Sequence, residues 1–179
     1  MPVKLQGAIA LRKALAIVEP TLAKETTKEI ASFLKPVVKQ ARGFMPSDSE
    51  VPSGWLLNVN AQGRWANRSY SQSVARRGIT YKTSPSKENR KGFRALASIF
   101  NKPVGNNVAG MIYETAGRKS GVTGNFTPKL GGELVGKGQK MTGRAIFRAY
   151  DNDRGKARDG VVKAIAKAAA KFDSMKDKV

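Results

Sequence analysis

Residues 21–45 constrain the fold of this chain more than any other stretch. Side chains suited to burial recur there every three or four residues: Leu22, Thr26, Ile30, Phe33, Leu34, Val37, Val38, Ala41 and Phe44. In a helix of 3.6 residues per turn, this spacing places them on one side, while the intervening lysines face water. We therefore predict a long amphipathic helix whose apolar side is covered by the rest of the fold.

Pro36 lies inside this predicted helix. A proline there removes the hydrogen bond to the carbonyl of Ser32 and crowds that turn, at a cost of about 3 kcal/mol. We expect a kink at Pro36, or two helices in near-continuity.

The remaining segments predict an α+β fold. A helix is expected within residues 3–18, and a hairpin or interrupted strand pair within 65–83. Two further strand-like runs, 93–100 and 108–115, are expected to pair antiparallel. Helical patterns return from residue 144, and a last alanine-rich helix covers 161–172 after breaks at Gly155 and Gly160. The expected architecture is a long N-terminal helix packed on a small antiparallel sheet, with C-terminal helices.

Length and composition predict one structural domain over residues 1–179. A 179-residue chain with 40% hydrophobic residues is long and apolar enough to bury a core. Turn-forming and polar residues are concentrated near 46–63, 84–91 and 117–143. We expect mobile loops at these three places, with Trp55-Leu56-Leu57 as the apolar anchor of the first.

The absence of two residue types narrows the available chemistry. The chain contains neither cysteine nor histidine. Disulfides, thiolate metal sites, Ser-His-Asp triads and imidazole bases are therefore excluded. The carboxylates form no recognisable acid and base pair. We expect no enzymatic activity, no cofactor and no metal site.

Two short motifs resemble known ligand-binding loops but lack residues that those loops require. Residues 131–138 nearly match a P-loop, but Gly138 stands where a hydroxyl should bind magnesium. Residues 151–155 resemble the start of a calcium loop, but Val162 occupies the position of the required terminal glutamate. We interpret the first as a flexible basic loop and the second as an acidic turn between helices.

The termini and the hydrophobic runs give no targeting or membrane signal. Arg12 and Lys13 interrupt the apolar N-terminal residues, and no run of 18 apolar residues occurs. The sequence predicts a soluble protein without a signal peptide or a membrane partner.

Positive charge is the strongest compositional signal. The chain has 33 Lys and Arg against 13 Asp and Glu, a net charge of +20. Residues 63–148 alone contain 17 basic and three acidic residues, a net charge of +14. Such an excess favours contact with DNA, RNA or another polyanion, whereas the alternative is a solvated surface of basic loops.

Aromatic residues alternate with some of these cations. Trp65, Tyr70 and Tyr81 lie among five basic residues between 64 and 82. This mixture is able to stack bases and bind phosphates, and it equally fits a strand pair whose aromatic rings face the core. No motif for sequence-specific readout is present, so only non-specific phosphate contact is supported.

Several landmarks together resemble the neck and tail-completion proteins of long-tailed bacteriophages, also described as minor tail or head-tail joining components. They include Val3-Lys4-Leu5-Gln6-Gly7 followed by Leu11-Arg12-Lys13-Ala14-Leu15, and a long helix ending in Ala41-Arg42 with Pro46 close behind. The Ser53-Gly54-Trp55-Leu56 turn, the segment Ile112-Tyr113-Glu114-Thr115-Ala116-Gly117 and an alanine-rich closing helix complete the set. Tyr113 directly precedes Glu114, whereas family members commonly separate this Tyr and Glu by three residues.

The resemblance implies a structural protein rather than an enzyme. It implies a homo-oligomeric ring subunit in the neck or at the head-proximal end of the tail, in contact with other neck, connector and tail proteins. Its location would be the virion, with the host cytoplasm during assembly. Basic loops would then lie near the path of packaged DNA, which they would contact non-specifically. The alternative is a stand-alone, non-specific nucleic-acid-binding protein. The candidate DNA-lumen or interface charges are Arg76, Arg77, Lys87, Arg90, Lys91, Lys119, Lys137 and Lys140.

Overall fold

The computed structural model describes residues 7–56, 68–118, 126–136 and 142–176. Six α-helices occur in this part of the chain: α1 (Ala8–Val18), α2 (Pro20–Gly43), α3 (Gln72–Gly78), α4 (Ala109–Thr115), α5 (Ile146–Asp153) and α6 (Lys156–Lys176). Four short strands accompany them: β1 (Ile79–Lys82), β2 (Ser98–Asn101), β3 (Val135–Gly136) and β4 (Thr142–Gly143). Strands β1 and β2 form one two-stranded sheet, and β3 pairs antiparallel with β4 in another. The predicted α+β class is confirmed.

Two compact units make up the fold. Among the described residues, unit 1 contains those up to Lys35, then Tyr81–Ser98, then those from Gly155 onward. Unit 2 contains Pro36–Thr80 and Ile99–Arg154. The expected single domain remains a prediction, because a division into two compact units does not measure whether the two units unfold together.

Helices dominate the core of unit 1. Leu15 of α1, Leu22 of α2 and Ala168 of α6 are buried together, and Phe172 packs against them. Gly160 of α6 lies against the ring of Phe33 of α2, because a Cβ at that glycine would be 2.3 Å from Cδ1 of the ring. The predicted helix break at Gly160 is wrong: α6 continues through it, and the missing side chain leaves room for Phe33.

The predicted long helix is confirmed as α2, and it continues through Pro36 as one helix. Its buried positions include Leu22, Ile30, Leu34, Val37 and Ala41, which belong to the stripe predicted from the sequence. Lys163, Lys167 and Lys171 of α6 are exposed. Two of them pair with α2: Lys167 with Glu29 and Lys171 with Glu25, each at 3.5 Å.

In unit 2, two segments that were predicted as strands are helices. Residues 109–115 form α4 instead of a strand, and Gly110 allows its backbone to approach within contact distance of Ala75 in α3. Residues 72–78 form α3, where a hairpin was expected, and β1 is the one strand within 68–83, the described part of that prediction. In both segments the apolar run is too short for its periodicity to separate helix from strand.

An aromatic cluster anchors the loop that follows α2. Trp55 lies in a 3₁₀ turn, Ser53–Trp55, and its ring centroid is 4.9 Å from Tyr70 and 5.0 Å from Phe126. The indole N–H of Trp55 donates to the carbonyl of Arg68, and the Tyr70 hydroxyl donates to the carbonyl of Pro46. Both rings are thus core residues whose polar atoms are satisfied. The predicted anchoring role of Trp55 is confirmed, whereas Trp65 lies outside the described residues.

Candidate functional site

The structure places five of the eight candidate charges, and they occur in two groups. Arg76 and Arg77 are exposed in the last turn of α3 in unit 2. Lys87, Arg90 and Lys91 are exposed in the connection between β1 and β2 in unit 1. Lys119, Lys137 and Lys140 lie outside the described residues. Arg76 has a structural contact as well, because its Nε donates to the main-chain carbonyl of Arg42 at 3.1 Å.

The connection between β1 and β2 is a folded turn, and we call residues 83–96 the basic finger. Asn89 makes the hydrogen bonds that hold the turn at residues 89–93. The main-chain N–H of Asn89 donates to the carbonyl of Phe93, and the N–H of Gly92 donates to the carbonyl of Asn89. The Asn89 side-chain oxygen accepts hydrogen bonds from the N–H groups of Lys91 and Phe93, both at 2.9 Å. Gly92 has φ +72°, a conformation that favours glycine.

Further hydrogen bonds close the middle of the finger. The N–H of Ser86 donates to the carbonyl of Ala95, and the N–H of Ala95 donates to the Ser86 hydroxyl, both at 2.8 Å. Arg94 donates from Nε to the carbonyl of Ser86 at 3.1 Å. These hydrogen bonds use main-chain groups, the Ser86 hydroxyl and the Arg94 side chain. The side chains of Lys87, Arg90 and Lys91 are exposed.

Arg12 of α1 closes the base of the basic finger. Its Nη1 donates to the carbonyls of Thr83 and Leu96, the two residues at which the finger begins and ends. The guanidinium is partly buried, and this loss of solvent lowers the pKa of Arg12. Because an arginine keeps its charge in proteins, the result is a charge-assisted bridge between the two ends.

A second arrangement of charged residues lies in unit 2, where α4 meets α5, and we call it the capped junction. Its members are Tyr113, Glu114, Ala116 and the residues 143–147. The carboxylate of Glu114 accepts hydrogen bonds from the N–H groups of Ala145, Ile146 and Phe147, at 2.7 to 3.3 Å. Ala145 is the N-cap of α5 and has no side-chain acceptor of its own, so Glu114 supplies it.

Arg144 performs the complementary role at the end of α4. Its Nη1 donates to the carbonyls of Tyr113 and Ala116, which lie in and just after the last turn of that helix. The acid of α4 therefore caps the start of α5, and the arginine before α5 caps the end of α4. Each charge also lies at the helix end that its sign favours.

Burial determines the electrostatics of the capped junction. Glu114 and Arg144 are each 4% exposed. Burial raises the pKa of Glu114, although the hydrogen bonds from Ala145, Ile146 and Phe147 act in the opposite direction. Burial likewise lowers the pKa of Arg144 and raises the pKa of Tyr113.

Glycine is required where the junction is tightest. A Cβ at Gly143 would be 2.0 Å from Oε1 of Glu114, closer than any real contact. Gly117 has φ +83°, and a Cβ there would be 2.6 Å from Thr127 Cγ2. The segment 112–117 that carries part of the phage resemblance is therefore a helix end whose acid, arginine contacts and glycine are all used to hold α4 and α5 together.

A shallow cleft of unit 2 lies beside the junction. Its lining consists of Thr127, Pro128, Gly131, Gly132, Glu133, Val135 and Arg148. A 3₁₀ turn, Thr127–Leu130, precedes Gly131 where a P-loop would have a strand. Arg148 is stacked over the ring of Phe44, 4.5 Å from its centroid. The segment directly before Gly131 is therefore not the strand that a P-loop has at this place.

The sequence did not identify two of the arginines that matter most. Arg12 and Arg144 look like any other cation of this basic chain, because a residue name does not tell which guanidinium is buried against carbonyls. Among the described residues, no group of three or more acidic residues is placed to bind a metal ion. No helix in the described part of the chain is both long and apolar enough to cross a membrane.

Comparisons with known proteins give no relative. No protein-family model, no curated protein and no solved structure matches this chain.

Proposed function

We propose that this protein is a structural subunit of the bacteriophage head-tail junction, forming a ring in the neck or at the head-proximal end of the tail. Its basic loops would lie near the DNA path. It would contact copies of itself and other neck, connector and tail proteins. Its place would be the virion, with the host cytoplasm during assembly. In this role it catalyses no reaction and needs no cofactor.

The observation that carries the proposal is the excess of exposed cations. The net charge is +20, and Arg77, Lys87, Arg90 and Lys91 project into water. Copies of such a chain repel one another when they are crowded in a ring. Phosphates of a DNA end passing through the ring would neutralise that charge, so a ring around DNA is more favourable than an empty one.

The capped junction supports a structural role. Glu114 and Arg144 are both used by main-chain groups, so neither is available to a substrate in this arrangement. Buried charges bound to helix ends stabilise one geometry between two helices, which suits a subunit that must present constant surfaces to its neighbours.

The alternative is a stand-alone, non-specific nucleic-acid-binding protein. The same exposed cations favour it, because phosphate contact needs no ring. The two candidates differ in assembly. A neck subunit should form rings and bind DNA weakly as a monomer, whereas a dedicated binder should retain DNA at submicromolar concentration with a steep salt dependence.

Electron microscopy of the purified protein and of virions tests the proposal. We expect rings with a central channel, and labelled antibody at the head-tail junction of particles. Sedimentation of the same sample at low and high salt should show whether salt, which screens the repulsion, promotes assembly. A monodisperse monomer that binds DNA tightly and is missing from virions would instead establish the alternative.

A further inference from the structure

We propose that the basic finger, residues 83–96, is a binding site for single-stranded nucleic acid. Its exposed cations bind consecutive phosphates, and the ring of Phe93 stacks on an unpaired base. This goes beyond the proposed function, because it requires neither a ring nor a virion, and because the ligand has exposed bases.

Charge is the first argument. Residues 84–95 contain four basic residues and one acid, Glu88, a net charge of +3. Arg94 is tied to the main chain, which leaves Lys87, Arg90 and Lys91 as exposed cations. Among the described residues, these three side chains have no ion-pair partner. Three cations within five residues suit a chain of phosphates better than one isolated anion.

The second argument is the exposed aromatic ring in the turn that Asn89 holds. Phe93 is 43% exposed and follows Gly92, the residue with the left-handed conformation. A partly exposed ring within six residues of three exposed cations supplies the two elements of single-strand recognition, a stacking platform and phosphate-binding charges. A duplex keeps its bases stacked inside, so the ring has a base to stack on only when the strand is unpaired.

Pre-ordering of the finger is the third argument. Asn89 fixes the turn, Ser86 and Ala95 close its middle, and Arg12 bridges its two ends. A segment that is already folded loses little conformational entropy when it binds, so its few contacts convert into affinity more efficiently. The hydrogen bonds are made by the main chain and by residues other than Lys87, Arg90 and Lys91, which stay available to a ligand.

The test measures the affinity of the full chain for three probes by fluorescence anisotropy: labelled oligothymidylate, a duplex of equal length and inorganic polyphosphate. The triple variant Lys87→Gln/Arg90→Gln/Lys91→Gln should bind oligothymidylate about tenfold more weakly or worse, with a log-log salt slope smaller by about 2. Phe93→Leu should weaken oligothymidylate binding about tenfold, and should change binding to the duplex and to polyphosphate by less than about twofold.

A matched control separates a site from net charge alone. Lys24→Gln/Lys28→Gln/Lys35→Gln removes the same charge from exposed positions of α2 in unit 1. It should weaken oligothymidylate binding less than about threefold, because net charge acts on affinity only through the long-range field. Far-UV circular dichroism should show that both triple variants and Phe93→Leu are folded.

Two results would overturn the inference. Equal losses from the two triple variants would mean that total charge, and not the finger, determines binding. A Phe93→Leu effect that is the same on all three probes, or no effect at all, would exclude base stacking. Imaging the same preparations for rings tests the proposed function separately, so failure of one leaves the result for the other intact.

Discussion

The capped junction of unit 2 and the basic finger of unit 1 use charged side chains in opposite ways. In the junction, Glu114 and Arg144 are buried and complete the hydrogen bonding of two helix ends. In the finger, main-chain carbonyls and N–H groups are bonded by one another and by the side chains of Asn89, Arg94 and Arg12. Lys87, Arg90 and Lys91 face water. Glu114 and Arg144 thus stabilise the fold by bonding main-chain groups that lack other partners, whereas Lys87, Arg90 and Lys91 make no such bonds and are available for binding.

Removing the buried acid of the junction should change stability most. Glu114→Ala should lower the free energy of unfolding by about 2–4 kcal/mol, since it leaves the N–H groups of Ala145, Ile146 and Phe147 without their acceptor. Urea denaturation followed by circular dichroism measures it. Glu133→Ala is the control, because that acid is exposed in the same unit, and it should change stability by less than about 0.5 kcal/mol. Equal values for the two variants would show that the buried acid contributes nothing special.

Arg12 is a partly buried charge, like those of the junction, but its hydrogen bonds support the finger. Arg12→Met removes the bridge between Thr83 and Leu96 and should cost about 1–2 kcal/mol. Hydrogen exchange should accelerate at the amides of residues 86–95 and stay unchanged in α5. Lys13→Met removes the same charge from an exposed neighbour and should leave exchange in the finger as it is. Unchanged exchange in Arg12→Met would mean that the finger folds without its bridge.

The pH dependence of the junction is a smaller effect with a definite sign. Because burial raises the pKa of Glu114 above its ordinary value of 4.5, the folded protein binds this proton more tightly than the unfolded chain. Stability contributed by Glu114 is therefore complete below 4.5 and decreases as pH rises through the raised pKa, by at most about 1.4 kcal/mol per pH unit.

Stability curves of the wild type and of Glu114→Gln, measured at a series of pH values, isolate this contribution. The wild-type value minus the variant value should decrease above pH 4.5 and then level off. Glu50, whose pKa is lowered by hydrogen bonds from Ser47, has the opposite slope, but it is present in both proteins and cancels. A difference that rises with pH would show that the three N–H donors outweigh burial at Glu114.

Removing two exposed cations of the finger should change stability least. Lys87→Gln/Arg90→Gln should change the free energy of unfolding by less than about 0.5 kcal/mol, since both side chains are exposed and bond nothing within the described residues. The same urea titration measures it. A loss comparable to that of Glu114→Ala would mean that these cations are structural, and would break the comparison between the two regions.

Some of the fold could be predicted because its pattern is long. The stripe that includes Leu22, Ile30, Leu34 and Val37 spans several helical turns, so α2 followed from periodicity alone. The expected strand at 108–115 was wrong because eight residues give too few helical turns to distinguish the helical period from the strand period. That segment is a helix because Ala75 packs against Gly110 and because Arg144 completes its last turn.

The candidate site, too, has some features that follow from the sequence and others that depend on the fold. Sequence alone determined the number of charges, the absence of histidine and cysteine, and the positions of α2 and of the Trp55 anchor, since these depend on composition or on local periodicity. The burial of Glu114 and Arg144, the bridge made by Arg12 and the exposure of the finger's three cations depend on how the chain folds in three dimensions. The physical reason is that the role of a charge depends on which main-chain groups lack partners nearby, and distant parts of the chain supply those groups.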